Sequence, residues 1–166
     1  MHYCRVAAVF AMAMFAATVS AASVPDLSLA TNLLEDARKA SQKRVPLVIL
    51  FSLPNCPHCD AVRLSHLIPL QKSPESPFKP ILRQINVNGK MPLVNLDGTS
   101  TTHGEFARSH AIKIAPVLVF LDKHGKPLAA PLAGSMLPDF YGAYLENSLK
   151  DSLENLGNPD SKNSGF

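Results

Sequence analysis

Cys56 and Cys59 stand three positions apart with Pro57 and His58 between them, in a 166-residue chain with one other cysteine, Cys4. Such a pair closes a loop too short for chain entropy to stabilise much, and two cysteines are too few for a disulfide framework. Their spacing points to chemistry: a thiolate that attacks a disulfide, and a second thiol placed to attack the mixed disulfide that forms. The same atoms have other readings, namely an inert bridge, two buried thiols, or carriage of a soft metal, copper or zinc, with His66, His103, His110 or His124. Structural zinc would want a second close ligand pair, which is missing, and Asp60 after Cys59 breaks the Cys-x-x-Cys-His run of haem attachment.

A nucleophilic sulfur has to be held as a thiolate, which the unpaired amides and positive dipole end at a helix start favour. The run Val45-Pro46-Leu47-Val48-Ile49-Leu50-Phe51 predicts a strand covered on both faces, with Pro46 tolerated near its start. Cys59 to Leu70 predicts a helix whose first turn takes Pro57 without loss and which Pro69 should kink or end. Cys56 therefore sits at a helix start and is assigned the attack. Cys59, about one turn deeper, is assigned the resolution. Pro57 fixes the turn, and His58 can bring a ring donor or a positive charge to the anion.

The remaining pattern alternates helix and strand. A helix is predicted over 28–42 from the recurrence of Leu27, Ala30, Leu33, Leu34, Ala37 and Ala40, a loop over 71–80, a strand over Ile81–Val87 and a loop over 88–101. Thr102 and Glu105 have capping-box spacing for a short helix over 103–111. A buried strand over Pro116–Leu121, a turn over 123–126 and an edge strand over Pro127–Ala133 follow. Phe140, Tyr141, Tyr144, Leu145, Leu149 and Leu153 then mark a helix over 138–154. A parallel half joined to a hairpin half makes an α/β sandwich.

With 46% hydrophobic and 17% charged residues the chain has material for one core, and a formal charge of +3 implies no nucleic-acid partner. The opening MHYCR and the apolar run after it read as a signal peptide over 1–21, removed after Ala21 or Ala22 together with Cys4. The run is shorter than the roughly 20 residues of a membrane span, so no stable insertion is expected after cleavage. One domain over 22–156 and a disordered tail over 157–166 remain.

The segments VPLVILFSLPNCPHC, IKIAPVLVFLDKHGKPL and LPDFYGAYLENSL resemble the thioredoxin superfamily over most of the mature chain. INVNGKMPLVNLDGTSTTHGEFARSHAIKIAPVLVFLD is similar to the SoxW-type periplasmic members. The resemblance implies a mixed four- to five-stranded sheet flanked by helices, and a cis proline at Pro116 facing the cysteines. In that frame the Ala115 backbone pairs with an extended substrate segment. The chain departs from the family at Leu50, where thioredoxins bury an acid, and at Asn55, where they commonly place an aromatic. The Pro57-His58 dipeptide is that of the oxidising Dsb proteins, but the short stretch from Cys59 to Pro116 leaves no room for their helical insertion and favours a reducing role. The expectation is dithiol-disulfide exchange on the thiols or disulfides of exported proteins in the periplasm, served by a redox partner and needing no bound cofactor. A binding module without turnover is the further alternative, for which Leu50 is the hint.

Overall fold

The computed structural model describes residues 26–74, 76–134 and 140–157; the expected signal peptide, Pro138 and the segment beyond Gly157 lie outside them. In chain order the elements are α1 (Leu33–Lys43), β1 (Leu47–Ser52), α2 (Pro57–Val62), a π turn over Arg63–Leu67, α3 (Ile68–Lys72), β2 (Ile81–Asn86), β3 (Pro92–Val94), β4 (Ser100–Thr102), α4 (His103–Ser109), β5 (Val117–Leu121), β6 (Leu132–Ala133) and α5 (Tyr141–Gly157).

All six side chains of β1 are buried, so this strand needs cover on both faces and neighbours on both edges. It pairs in parallel with β2 and antiparallel with β5, and β6 completes a mixed four-stranded sheet in the order β2-β1-β5-β6. Strand alternation then divides the core. Leu47, Ile49 and Phe51 meet Leu33, Ala37 and Ala40 of α1 and Phe106 of α4. Val48 and Leu50 meet Val62, Leu67 and Ile68 of the helical run after the cysteines, and Tyr141, Leu145 and Leu149 of α5. Each of these larger side chains contributes about 1.5–3 kcal/mol by leaving water. Among the described residues no helix is long and apolar enough to cross a membrane.

Several boundaries differ from the sequence pattern. The helix predicted from residue 28 starts at Leu33, because Asn32 caps it by accepting the Glu35 amide (3.0 Å). The residues before it serve β2 instead: Gln84 donates its amide to the Ser28 carbonyl, and Ala30 donates to that of Gln84. The helix expected over Cys59–Leu70 begins at Pro57 and continues through Pro69 to Lys72. Pro69 has no amide to return to the preceding turn, and the backbone widens to a π turn just before it, with the Ile68 amide reaching Arg63.

The loop expected over 88–101 contains the β3–β4 hairpin, closed where Asn95 donates its amide to the Thr99 carbonyl and Gly98 takes a left-handed conformation (φ 87°). Three-residue strands carry too little alternation to be seen in the sequence. The partner strand expected over Pro127–Ala133 shrinks to Leu132–Ala133 and one bridge from Pro127 to Leu121, since Pro127 and Pro131 cannot donate to a ladder. The last helix runs to Gly157, three residues beyond the expected end, and its stripe is shifted. Tyr141, Leu145 and Leu149 are buried with the small residues Ser148 and Ser152, while Phe140 and Tyr144 face solvent.

Candidate active site

The cysteine pair hangs from the C-terminal end of the most buried strand. After Ser52 the chain turns through Pro54 and Asn55, and Asn55 takes the left-handed conformation (φ 55°) that asparagine tolerates better than most residues. Cys56 follows in extended conformation as the N-cap of α2, with Pro57 in the first turn. Its sulfur accepts the Cys59 amide at 3.2 Å, so one of the orphan donors of the helix start points at this atom. Cys56 and Cys59 are joined in a disulfide. The two sulfurs are not equivalent: Cys56 is partly exposed and flanked by exposed Pro57 and His58, while Cys59 is fully buried.

The Ala115–Pro116 peptide bond is cis. Val117 lies opposite Phe51 in the β1–β5 register, which brings Ala115 and Pro116 to the same end of the sheet as the cysteines. Pro116 is buried and its carbonyl accepts the Gly134 amide at 2.8 Å; Ala115 is half-buried, and Ile114 before it is exposed. A sheet of order β2-β1-β5-β6 thus presents a capped cysteine pair and a cis proline from adjacent antiparallel strands. Residues 33–148 match the family model of the thioredoxin-like domain.

The chain belongs to the thioredoxin-like family. Among solved structures it is similar to mitochondrial thioredoxin 3 of Saccharomyces cerevisiae in its oxidized form, with 21% identity and a TM-score of 0.49 over 75% of this chain and 94% of that one. It is also similar to a thioredoxin-fold protein from Helicobacter pylori (19% identity, TM-score 0.48, 78% of this chain and 84% of that one). For thioredoxin NaTrxh from Nicotiana alata the values are 13%, 0.46, 75% and 97%. No curated protein matches the chain significantly.

Within this thioredoxin-like domain the surroundings of Cys59 carry the detail that sequence reasoning missed. Leu50 is fully buried on the face of β1 covered by α2, so no carboxylate occupies that position. The polar side chain beside it is Gln84 of β2, directly across the ladder and itself buried. Arg63 donates to Gln84 Oε1 at 3.2 Å and to the Asp60 carboxylate, and its Nε lies 3.3 Å from Asp26 Oδ1. The signal was present as an acid and a base three apart on one helix, Asp60 and Arg63, just after Cys59.

The histidines considered as metal ligands are not assembled around the cysteines, and among the described residues no group of three or more His, Cys, Asp or Glu side chains is placed to hold an ion. His103 is fully buried and both ring nitrogens are engaged: Nδ1 accepts the Asn86 amide (3.1 Å), so Nε2 carries the proton and donates to the Ala30 carbonyl (2.7 Å). His66 lies against the Tyr141 ring (4.9 Å between centroids), and burial pushes it below its ordinary range. His110 packs against Phe106 in a tilted arrangement, 4.2 Å between centroids. Two concavities of about 790 and 600 Å³ share Lys123 and His124 at the opposite end of the sheet and include neither cysteine.

Proposed function

We propose that this chain is an exported thiol:disulfide oxidoreductase that reduces disulfides of exported proteins, in the manner of the SoxW-type periplasmic members. The observation that carries this reading is the asymmetric pair: partly exposed Cys56 capping α2, linked to fully buried Cys59, at the same end of the sheet as the cis Ala115–Pro116 bond. In the dithiol form the Cys56 thiolate attacks one sulfur of a substrate disulfide, and the other substrate sulfur leaves as a thiolate. Cys59 then attacks Cys56, the Cys56–substrate bond breaks, and the domain is left with the Cys56–Cys59 disulfide. A dithiol redox partner returns the two electrons by the same exchange run on Cys56.

Pro57 holds the turn, His58 tunes the anion, and Ala115 with Pro116 shapes the groove for the substrate strand. Export rests on the charged start and apolar run of residues 1–21, and the reducing direction on the short stretch between Cys59 and Pro116. The test is twofold. The wild-type protein should accelerate insulin reduction by dithiothreitol, and Cys59→Ala should accumulate substrate-linked adducts through Cys56 in periplasmic extracts. Neither turnover nor adducts would overturn the reading.

A further inference from the structure

Cys59 must lose its proton before it can attack, and Leu50 offers no base to take it. A neighbouring cation can do the equivalent work by making the anion less costly. Arg63 follows Cys59 by four residues, so the two share a helix face with Cβ atoms about 5–6 Å apart. Helical side chains lean toward the N-terminus, and Arg63 does so, since its guanidinium reaches Asp60 in the first turn. Gln84, fixed across from Leu50, holds the same guanidinium from the sheet side.

Resting on the exchange chemistry proposed above, we infer that Arg63 is a positioning residue that favours the Cys59 thiolate, taking the place of a buried base at position 50. Two carboxylates oppose it, but exposure separates them: the Arg63 side chain is 18% exposed, against 50% for Asp60 and 62% for Asp26. Water screens the acids more than the base. In the resolving step the Cys59 proton goes to solvent, the Cys59 sulfur bonds to Cys56, and the substrate sulfur leaves as a thiolate that takes a proton from water. Arg63 gives and takes no proton.

The experiment uses the reduced protein and Ellman's disulfide, which releases thionitrobenzoate twice: once when Cys56 attacks the reagent, and again when Cys59 displaces the group left on Cys56. The second release isolates Cys59 and needs no natural substrate. Arg63→Gln should move the pH midpoint of that release upward and slow it about three- to tenfold at pH 7, with a smaller change in the first release. Arg63→Lys should recover most of the loss. Asp60→Asn, at a half-exposed position, should move the midpoint the other way, which also serves should Arg63→Gln fail to fold. A wild-type profile in Arg63→Gln, or an unmoved midpoint in Asp60→Asn, would overturn the assignment. A wild-type protein without any second release would remove the exchange reading itself, and this inference with it.

Discussion

Gln84 stands directly opposite Leu50 across the parallel β1–β2 ladder, and both side chains lie on the face that α2 covers. The amide reaches Arg63 and Asn86, whereas Leu50 packs among Val48, Val62, Leu118 and Phe120. The environment of position 50 is therefore built for an apolar side chain. Leu50→Asp should lose about 3–5 kcal/mol at pH 7, from the cavity and the buried charge together. Burial raises the carboxyl pKa in the folded state, so the folded protein binds more protons than the unfolded one above about pH 4, and the deficit should shrink as pH falls toward that value. Urea unfolding of the variant at two pH values reads this directly. A deficit that does not depend on pH would mean that the new carboxyl reaches solvent or Arg63.

What was legible in the sequence follows the strength of local signals. The run Val45–Phe51 is apolar at every position and suits a covered strand, and Pro57 after Cys56 and Thr102 before Glu105 marked helix starts that the backbone obeys. The Thr102 hydroxyl accepts the Glu105 amide, which is one half of the capping box implied by the spacing, while the Glu105 carboxylate accepts from that same hydroxyl. The misses are tertiary. Residues 28–32 carry helical periodicity, yet β2 needed a partner for the Gln84 backbone, and the chain supplied Ser28 and Ala30. The Arg63 cluster was hidden because Gln84 lies 21 positions away, and only the pairing of β1 with β2 brings it under α2.

Asp36 and Arg83 form the most buried ion pair among the described residues, 47 positions apart and with side chains 7% and 22% exposed. Arg83 donates to both Asp36 oxygens and to the Leu82 carbonyl, so it ties α1 to β2. Asp36→Ala leaves the partly buried guanidinium without its bidentate partner and should cost about 1–3 kcal/mol. Asp36→Ala combined with Arg83→Met should recover a large part of that loss, because no uncompensated charge remains. Chemical denaturation of the two variants checks the sign of the coupling.

His66 gives the fold a dependence on acidity. Desolvation against Tyr141 holds its imidazole below its ordinary value of 6.5, while in the unfolded chain it returns to that value. Between the two values the unfolded chain binds more protons, so stability rises with pH there. The contribution is complete above about pH 6.5 and is lost as pH falls through the folded value. His66→Leu should flatten this part of the profile. Equal slopes for wild type and variant in thermal unfolding between pH 5 and 7 would show that His66 does not titrate with folding.

His103 joins three parts of the chain through one ring. It stands at the first position of α4, accepts the amide of Asn86 at the end of β2, and donates to the Ala30 carbonyl ahead of α1. His103→Leu keeps the approximate volume but removes both partners, leaving a buried amide and a buried carbonyl unpaired. Each such group costs about 1–3 kcal/mol, so the variant should lose about 2–6 kcal/mol. His103→Gln, with an acceptor and a donor at the tip of its side chain, should lose less. The local signature is sharper than the global one: hydrogen exchange at the Asn86 amide should quicken in the Leu variant beyond what its overall loss of stability explains. Protection at Asn86 that merely follows global stability would mean that the imidazole contributes volume rather than hydrogen bonds.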